Sequence, residues 1–314
     1  MYGRDYILIT GERLELLRRI QSNDALLLIL IALPGLLHFF IFKYIPMLGN
    51  IIAFQDFNLF KGMWRSDWVG LKHFMNMFTY AEFYQILRNT LTLSLYTLIF
   101  GFPAPLVLAL LLNEVRLMLV KRSVQTLFYL PHFLSWIIVG GIFIELLSID
   151  GFFNILLSKL GLPAIDFVTI PEYFKGILVS IGIWKEVGWG MIIYLAALSG
   201  INPNLYEAAM VDGAGRWRQM WYITLPSLLP AIVILFLLQV GHVMDSNVEQ
   251  VLVFLNPLVR DTAEVIDTYV YRVGLLGAQY SYTTAIGLFK SILGLMLIMS
   301  LNYLSKKSTG ESIY

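Results

Sequence analysis

The stretch NPNLYEAAMVDGAGRWRQMWYITLPSLLP, Asn202 to Pro230, is polar, broken by glycine and carries two arginines, while the sequence on either side is oily. Asn202 followed by Pro203 reads as an N-cap with proline at the first helical position, where its missing N–H costs nothing. A short helix, PNLYEAAMVD, follows and stops at Gly213-Ala214-Gly215. A second short helix, RWRQMWYI, leads to Pro226, which opens the next apolar run. Ala208 and Ala209 give the first helix a surface that another chain can approach closely. On the residues alone, an amphipathic loop at the lipid interface, anchored by Trp217, Trp221 and Tyr222, explains the segment equally well.

The surrounding composition decides the class of protein. Of 314 residues, 58% are hydrophobic and only 14% charged, and the mean hydropathy is +0.73, far from the soluble mix of roughly 45–50% apolar and 25% charged residues. The sequence is that of an all-α integral membrane protein. A net charge of +1 without a basic tract gives nucleic acid no purchase. Cysteine is absent, which excludes disulfides and thiol ligands, and the four histidines have no metal-ligand spacing, so no metal or other cofactor is expected on this chain.

A crossing helix needs about 20 mostly apolar residues, and six stretches qualify: about 25–45, 88–113, 124–147, 174–199, 227–245 and 283–304. The first follows a charged leader, 1–24, with no small-residue cleavage site after it, and is expected to remain as a helix. Basic residues crowd four segments: the leader (Arg4, Arg13, Arg18, Arg19), the 114–123 loop, the quoted segment and the tail, 305–314, with Lys306 and Lys307. With six alternating helices these share one side, which the positive-inside rule assigns to the cytoplasm, together with both termini. Lys61, Arg65, Lys72 and Arg272 lie on the other side and soften the bias.

The order Glu207-Ala208-Ala209, three residues, Gly213, nine residues, Ile223, one residue, Leu225-Pro226 resembles the EAA loop of type I ABC importer permeases, the membrane subunits of binding-protein-dependent uptake systems. The variant here is similar to that of maltose-transporter-like sugar permeases. LPGLLHFFIFKYIPMLGNIIAFQDF (33–57), WVGLKHF (68–74), NTLTLSLYTLIFGFPAPLVLALLLNEV (89–115) and EVIDTYVYRVGLL (264–276) look like the branch serving oligosaccharides cut from polysaccharides. The resemblance implies a six-helix permease domain at 25–304 with a cytoplasmic coupling helix in the loop at about 201–226. In it Glu207, Ala208, Ala209, Asp212, Gly213, Ala214, Ile223, Leu225 and Pro226 would transmit the motion of a cytosolic ATPase. It also implies a second homologous permease subunit, an ATPase dimer holding ATP and Mg, an extracytoplasmic solute-binding protein, an oligosaccharide substrate and a place in the bacterial plasma membrane. No phosphate-binding G-x-x-x-x-G-K-[ST] stretch occurs, so the chain is not expected to hydrolyse ATP itself.

Ionisable residues deep in a span are costly and usually face a bundle interior or a cavity. Lys185 and Glu186, flanked by Trp184, Trp189 and glycines that allow a bend, fall mid-way along the fourth span. They either line the substrate path or brace the bundle. Gln239, His242, Asp245 and Asn247 recur toward the outer end of the fifth span and are further path candidates. Glu145 and Lys290 are expected to snorkel, and VIDTYVYRVGLLGAQYSYTTAIG (265–287) to be a solvated, partly helical loop, with contact to the binding protein as the other reading of its charges and tyrosines. A secondary transporter or a non-transport scaffold are the competing functional classes; neither has a use for the loop.

Overall fold

The structure, a computed structural model, describes residues 26–309, with side chains to Lys307. The leader, 1–24, lies outside the described residues, as do 310–314 of the tail. Six helices among them are long and apolar enough to cross a membrane. The chain forms two units, one ending at Trp68 and one beginning at Val69.

The first unit contains helix α1 (Leu26–Phe54), whose most apolar window is wholly exposed. A two-stranded antiparallel hairpin follows, β1 (Gln55–Asp56) with β2 (Asp67–Trp68), pairing Gln55 with Trp68 and Asp56 with Asp67.

The second unit opens with α2 (Lys72–Thr79) and α3 (Ala81–Asn113). Helix α3 passes through a π turn at Thr97–Gly101, just ahead of Pro103 and Pro105, where the missing N–H groups break the regular ladder. Then come α4 (Met118–Tyr129), α5 (Trp136–Leu147), α6 (Phe152–Lys159) and α7 (Pro171–Ser199). The third span expected at 124–147 is therefore not one helix. It breaks at Leu130–Phe133, a 3₁₀ turn containing Pro131, and restarts at Ser135, whose hydroxyl accepts from the N–H of Ile138. By length and composition the stretch able to cross is Trp136–Lys159, which is itself interrupted at 148–151 between α5 and α6.

The polar segment forms α8 (Pro203–Val211), and α9 (Arg216–Gly241) carries the fifth span. The expected second short helix is not separate. Residues Arg216–Gln219 run through a π turn, Met220–Thr224, straight into Leu225–Gly241, so Pro226 sits inside a continuous helix and the wider turn absorbs its missing donor. Helices α10 (Val248–Phe254), α11 (Arg260–Ala263) and α12 (Ile266–Tyr269, extended by a π turn over Val270–Leu276) precede the last span, α13 (Tyr280–Thr309).

Helix α7 lies between two cores. Its first half packs Phe174, Leu178 and Ile181 against Trp136, Val139, Val251 and Phe254; its second half packs Met191, Tyr194 and Leu198 against Ala109, Leu112 and Leu228. A third core joins Met77, Phe83 and Ile86 to Ile266, Tyr269, Tyr282 and Ile286. Lipid is as apolar as leucine, so apolar contact alone does not hold such helices together; close approach and interhelical hydrogen bonds must. Both are present. A Cβ on Gly188 would lie 2.0 Å from the carbonyl oxygen of Phe128, so α4 and α7 touch backbone to side-chain-free backbone. Of the glycines flanking the midspan charges, Gly188 and Gly190 serve close packing, against Phe128 and Pro105.

The 265–287 segment is not a solvated loop. Ile266, Thr268 and Tyr269 are buried. Asn89 donates to the carbonyls of Asp261 (2.8 Å) and Glu264 (3.1 Å), and Thr90 Oγ1 accepts from the N–H of Ile266 (2.9 Å). Arg272 bridges Glu264 (2.7 Å) and Glu82 (2.8 Å), and its guanidinium is held protonated beyond its ordinary range chiefly by the bond to Glu264.

Candidate functional site

Residues spaced three and four apart on α7, among them Gly182, Glu186, Trp189 and Ile193, face α3 and α9 across a cleft of about 490 Å³. Six of the eight path candidates line it: Glu186, Trp189, Gln239, His242, Asp245 and Asn247. The other two turn elsewhere. Trp184 meets the ring of Phe143 edge-on, with centroids 5.1 Å apart. The Lys185 side chain is 6% exposed; its ammonium donates to the carbonyl oxygen of His132 (2.8 Å), pairs with Glu186 Oε1 (3.0 Å) and stands 5.3 Å from the ring centre of Trp136.

That carbonyl belongs to the broken segment between α4 and α5, where the helical ladder has no donor to offer. Lys185 supplies one. Glu186 completes a closed ring of contacts, because its Oε2 lies 2.7 Å from His132 Nδ1 while half of its side chain remains exposed to the cleft. The His132 ring stacks on Trp189 at 4.5 Å, with planes 5° apart. So the midspan charges divide their work: Lys185 closes the break, and Glu186 joins that brace to the cleft wall.

Just past the C-terminal end of α9, Asp245 and Asp267 share Lys290, at 2.8 and 2.6 Å. His242 Nδ1 lies 3.1 Å from the second oxygen of Asp245, and Asp267 accepts from the N–H of Ser246 at 2.8 Å. Burial pushes the Asp245 carboxyl up, but its bonds to Lys290 and His242 outweigh this and hold it below the usual carboxylate range. Lys290 does not snorkel: its side chain is 15% exposed and doubly paired. Asn247 caps α10, accepting from the N–H of Gln250 (3.1 Å), and Gln250 donates to the carbonyl of Leu178 (2.7 Å) across the cleft wall. Gln239 is exposed to the same space.

Sequence reasoning missed His132, Trp136 and Gln250. Pro131 and the capping Ser135 were the available signals of a chain break there. Nothing in the sequence, however, places His132 opposite Glu186, 54 residues on.

The polar loop is locally determined. The Asn202 side chain accepts from the N–H of Asn204 (3.0 Å), starting α8. Its end is a Schellman turn: Ala214 N–H donates to the carbonyl of Ala209 (2.8 Å), Gly213 N–H to that of Met210 (3.1 Å), and Gly213 has φ +74°. The loop is tied back by Tyr206 Oη and Thr224 Oγ1 at 2.9 Å and by Gln219, which donates to the carbonyl of Ala214 at 2.8 Å. Glu207, Ala208, Asp212, Gly213 and Pro226 are exposed, Ala209, Ala214, Ile223 and Leu225 half-buried. Val211, 88% exposed, stands at the tip beside Met210, so α8 presents a small acidic and apolar face.

A model of the binding-protein-dependent transport system inner membrane component family matches residues 101–310. The chain belongs to this family. The permease is 45% identical to protein LplB of Bacillus subtilis (strain 168), over 98% of its own length and 96% of that protein's. It is 49% identical to the polygalacturonan/rhamnogalacturonan transport system permease protein YteP of the same organism, over 95% and 92%. Among solved structures, a chain of a bacterial alginate ABC transporter, in complex with an alginate pentasaccharide-bound periplasmic protein, superposes with a TM-score of 0.86 at 40% identity, covering 93% of the permease and 98% of that chain. The protein is thus a multi-pass membrane subunit of an ABC importer.

Proposed function

We propose that this permease imports acidic, uronate-containing oligosaccharides across the bacterial plasma membrane. It acts as one half of a pore completed by a second homologous permease. An extracytoplasmic binding protein delivers the sugar, and a cytosolic ATPase dimer, holding ATP and Mg, drives alternating access. The observation that carries the substrate class is the near full-length likeness to permeases whose systems handle polygalacturonan and alginate.

The cleft suits such a cargo. The Trp189 ring, held by the stacked His132, supplies an aromatic surface in the cleft for the C–H face of a sugar. Glu186, Gln239 and Asn247 supply hydroxyl partners along it. Each carboxylate in the wall already has a cation, Lys185 for Glu186 and Lys290 for Asp245, so a uronate meets little net repulsion.

Coupling is assigned to α8 and its turn, with both termini on the same, cytoplasmic side. Glu207 is exposed, with no ion-pair partner among the described residues, and the rigid Schellman turn at Gly213 fixes the helix for docking in an ATPase cleft. A secondary transporter leaves this loop without a role. The test is to screen the cognate binding protein against oligogalacturonides, oligoalginates and neutral oligosaccharides, then to measure ATP hydrolysis by the reconstituted complex with each. Stimulation by loaded binding protein with acidic sugars supports the reading; stimulation by neutral sugars alone overturns the substrate class.

A further inference from the structure

A closed ring of hydrogen bonds ties α8 to the base of the span that follows it. Tyr206 and Ala209, one turn apart, are the two half-buried residues of α8. Tyr206 Oη lies 2.9 Å from Thr224 Oγ1. The single proton of the Thr224 hydroxyl is directed at the carbonyl of Gln219, 3.4 Å away, so Tyr206 is the donor of the pair. The Gln219 side chain donates to the carbonyl of Ala214 (2.8 Å), and Ala214 N–H donates to the carbonyl of Ala209 (2.8 Å), which returns the ring to α8.

Thr224, 5% exposed, is the joint of this ring. A buried hydroxyl is costly unless hydrogen-bonded, and here its donor comes from another helix. Thr224 also ends the π turn, Met220–Thr224, beyond which α9 runs as regular helix over Leu225–Gly241. Helices bend at such turns and at prolines, and Pro226 follows two residues on. The bond from Thr224 to Gln219 spans the π turn, and the bond from Tyr206 fixes the same point to α8. From Thr224 to Gln239, which lines the cleft, α9 then rises about 22 Å at about 1.5 Å per residue.

We propose that Tyr206 and Thr224 are positioning residues for coupling: their bond makes α8, its turn and the base of α9 one rigid lever, so that a displacement of α8 reaches the cleft through α9 and is not absorbed in the π turn. This rests on the reading of α8 as the helix that docks on the ATPase, and adds which bond carries the movement onward.

The test uses the full complex in proteoliposomes, with loaded binding protein outside and ATP inside, and reads uptake per ATP hydrolysed. The labelled sugar is whichever of oligogalacturonide, oligoalginate or neutral oligosaccharide stimulates hydrolysis most, so the result does not depend on the substrate class. Tyr206→Phe and Thr224→Val should each hydrolyse ATP near the wild-type rate, because α8 still docks, while uptake per ATP falls about five-fold, the scale of one hydrogen bond. The double variant should fall no further than either single one, and Thr224→Ser, which keeps the hydroxyl, should stay near wild type. A wild-type ratio in both single variants overturns the proposal. So does a double variant whose loss is the product of the two, or a Thr224→Ser variant that loses as much as Thr224→Val. Tyr206→Phe removes one oxygen from a half-buried side chain, so it decides alone where Thr224→Val fails to assemble. Glu207→Lys in the same assay separates the two readings. If it hydrolyses ATP and takes up sugar as wild type does, α8 is not the docking helix and the lever falls with that reading; if it loses stimulated hydrolysis while Tyr206→Phe keeps the wild-type ratio, the lever alone is overturned.

Discussion

Replacing Glu186 by Gln should harm the permease more than replacing Lys185 by Met, although the two residues are partners. Lys185 has a side chain only 6% exposed, and Glu186 is its sole anionic contact among the described residues. Glu186→Gln leaves the ammonium buried with a carbonyl and the Trp136 ring, and removing one partner of a buried pair typically costs about 3–5 kcal/mol. Lys185→Met removes the buried charge together with its desolvation. Glu186 stays 46% exposed on its side chain and 2.7 Å from His132, so the main loss is the donor to the His132 carbonyl, about 1–3 kcal/mol. At about 2–4 °C per kcal/mol, the melting midpoint of the complex, followed by fluorescence-detected size exclusion, should drop by roughly 10 °C for Glu186→Gln and roughly 5 °C for Lys185→Met. The double variant should melt near Lys185→Met alone. A midpoint lower for Lys185→Met than for Glu186→Gln, or a double variant worse than both, refutes the bracing geometry.

Gly188→Ala should abolish assembly, since its Cβ meets the Phe128 carbonyl oxygen at 2.0 Å, whereas Gly176→Ala on the same helix, with nothing within 4 Å, should assemble normally; size exclusion reads both. Glu207→Lys and Gly213→Asp should leave the permease inserted and folded but cut the ATP hydrolysis that loaded binding protein stimulates. Rates near wild type in both variants would remove α8 from the coupling role. Asp245 has a depressed carboxyl pKa in the fold, so its pairing stabilises the protein above the unfolded value of about 3.9 and is lost as pH falls through the folded value. The melting difference between wild type and Asp245→Asn should therefore be full at pH 7 and shrink below about pH 4; a difference independent of pH contradicts the pairing.

What the sequence disclosed follows from how local each feature is. The Asn202 cap, the Gly213 turn and the Glu207-Ala208-Ala209 helix rest on neighbours within a few residues, so the first half of the loop was readable, while the continuity of Arg216–Gln219 with the next span through a π turn was not. The six apolar spans were readable from hydropathy, with ends displaced by as much as a dozen residues, because length and composition set them. The break at Pro131 was not. It depends on a donor from Lys185 and a close approach at Gly188, both on another helix. The 265–287 segment looked like a solvated loop because its burial comes from Asn89 and Thr90, some 172 to 176 residues earlier in the chain. Likewise Lys290 resembled a snorkelling lysine until Asp245 and Asp267 were seen to hold it. Of the cleft, the polar positions on α7 and α9 were legible as costly groups in apolar helices, while His132 had no such signature.

The most direct test of the account is uptake itself. Proteoliposomes holding the permease with its partner permease and ATPase, with binding protein outside and ATP inside, should accumulate labelled oligogalacturonide or oligoalginate against a gradient. Accumulation should cease when either ATP or the binding protein is withheld. Uptake that persists without ATP, or that follows an ion gradient in its place, would contradict the claim that this chain is the acidic-oligosaccharide permease of an ABC importer.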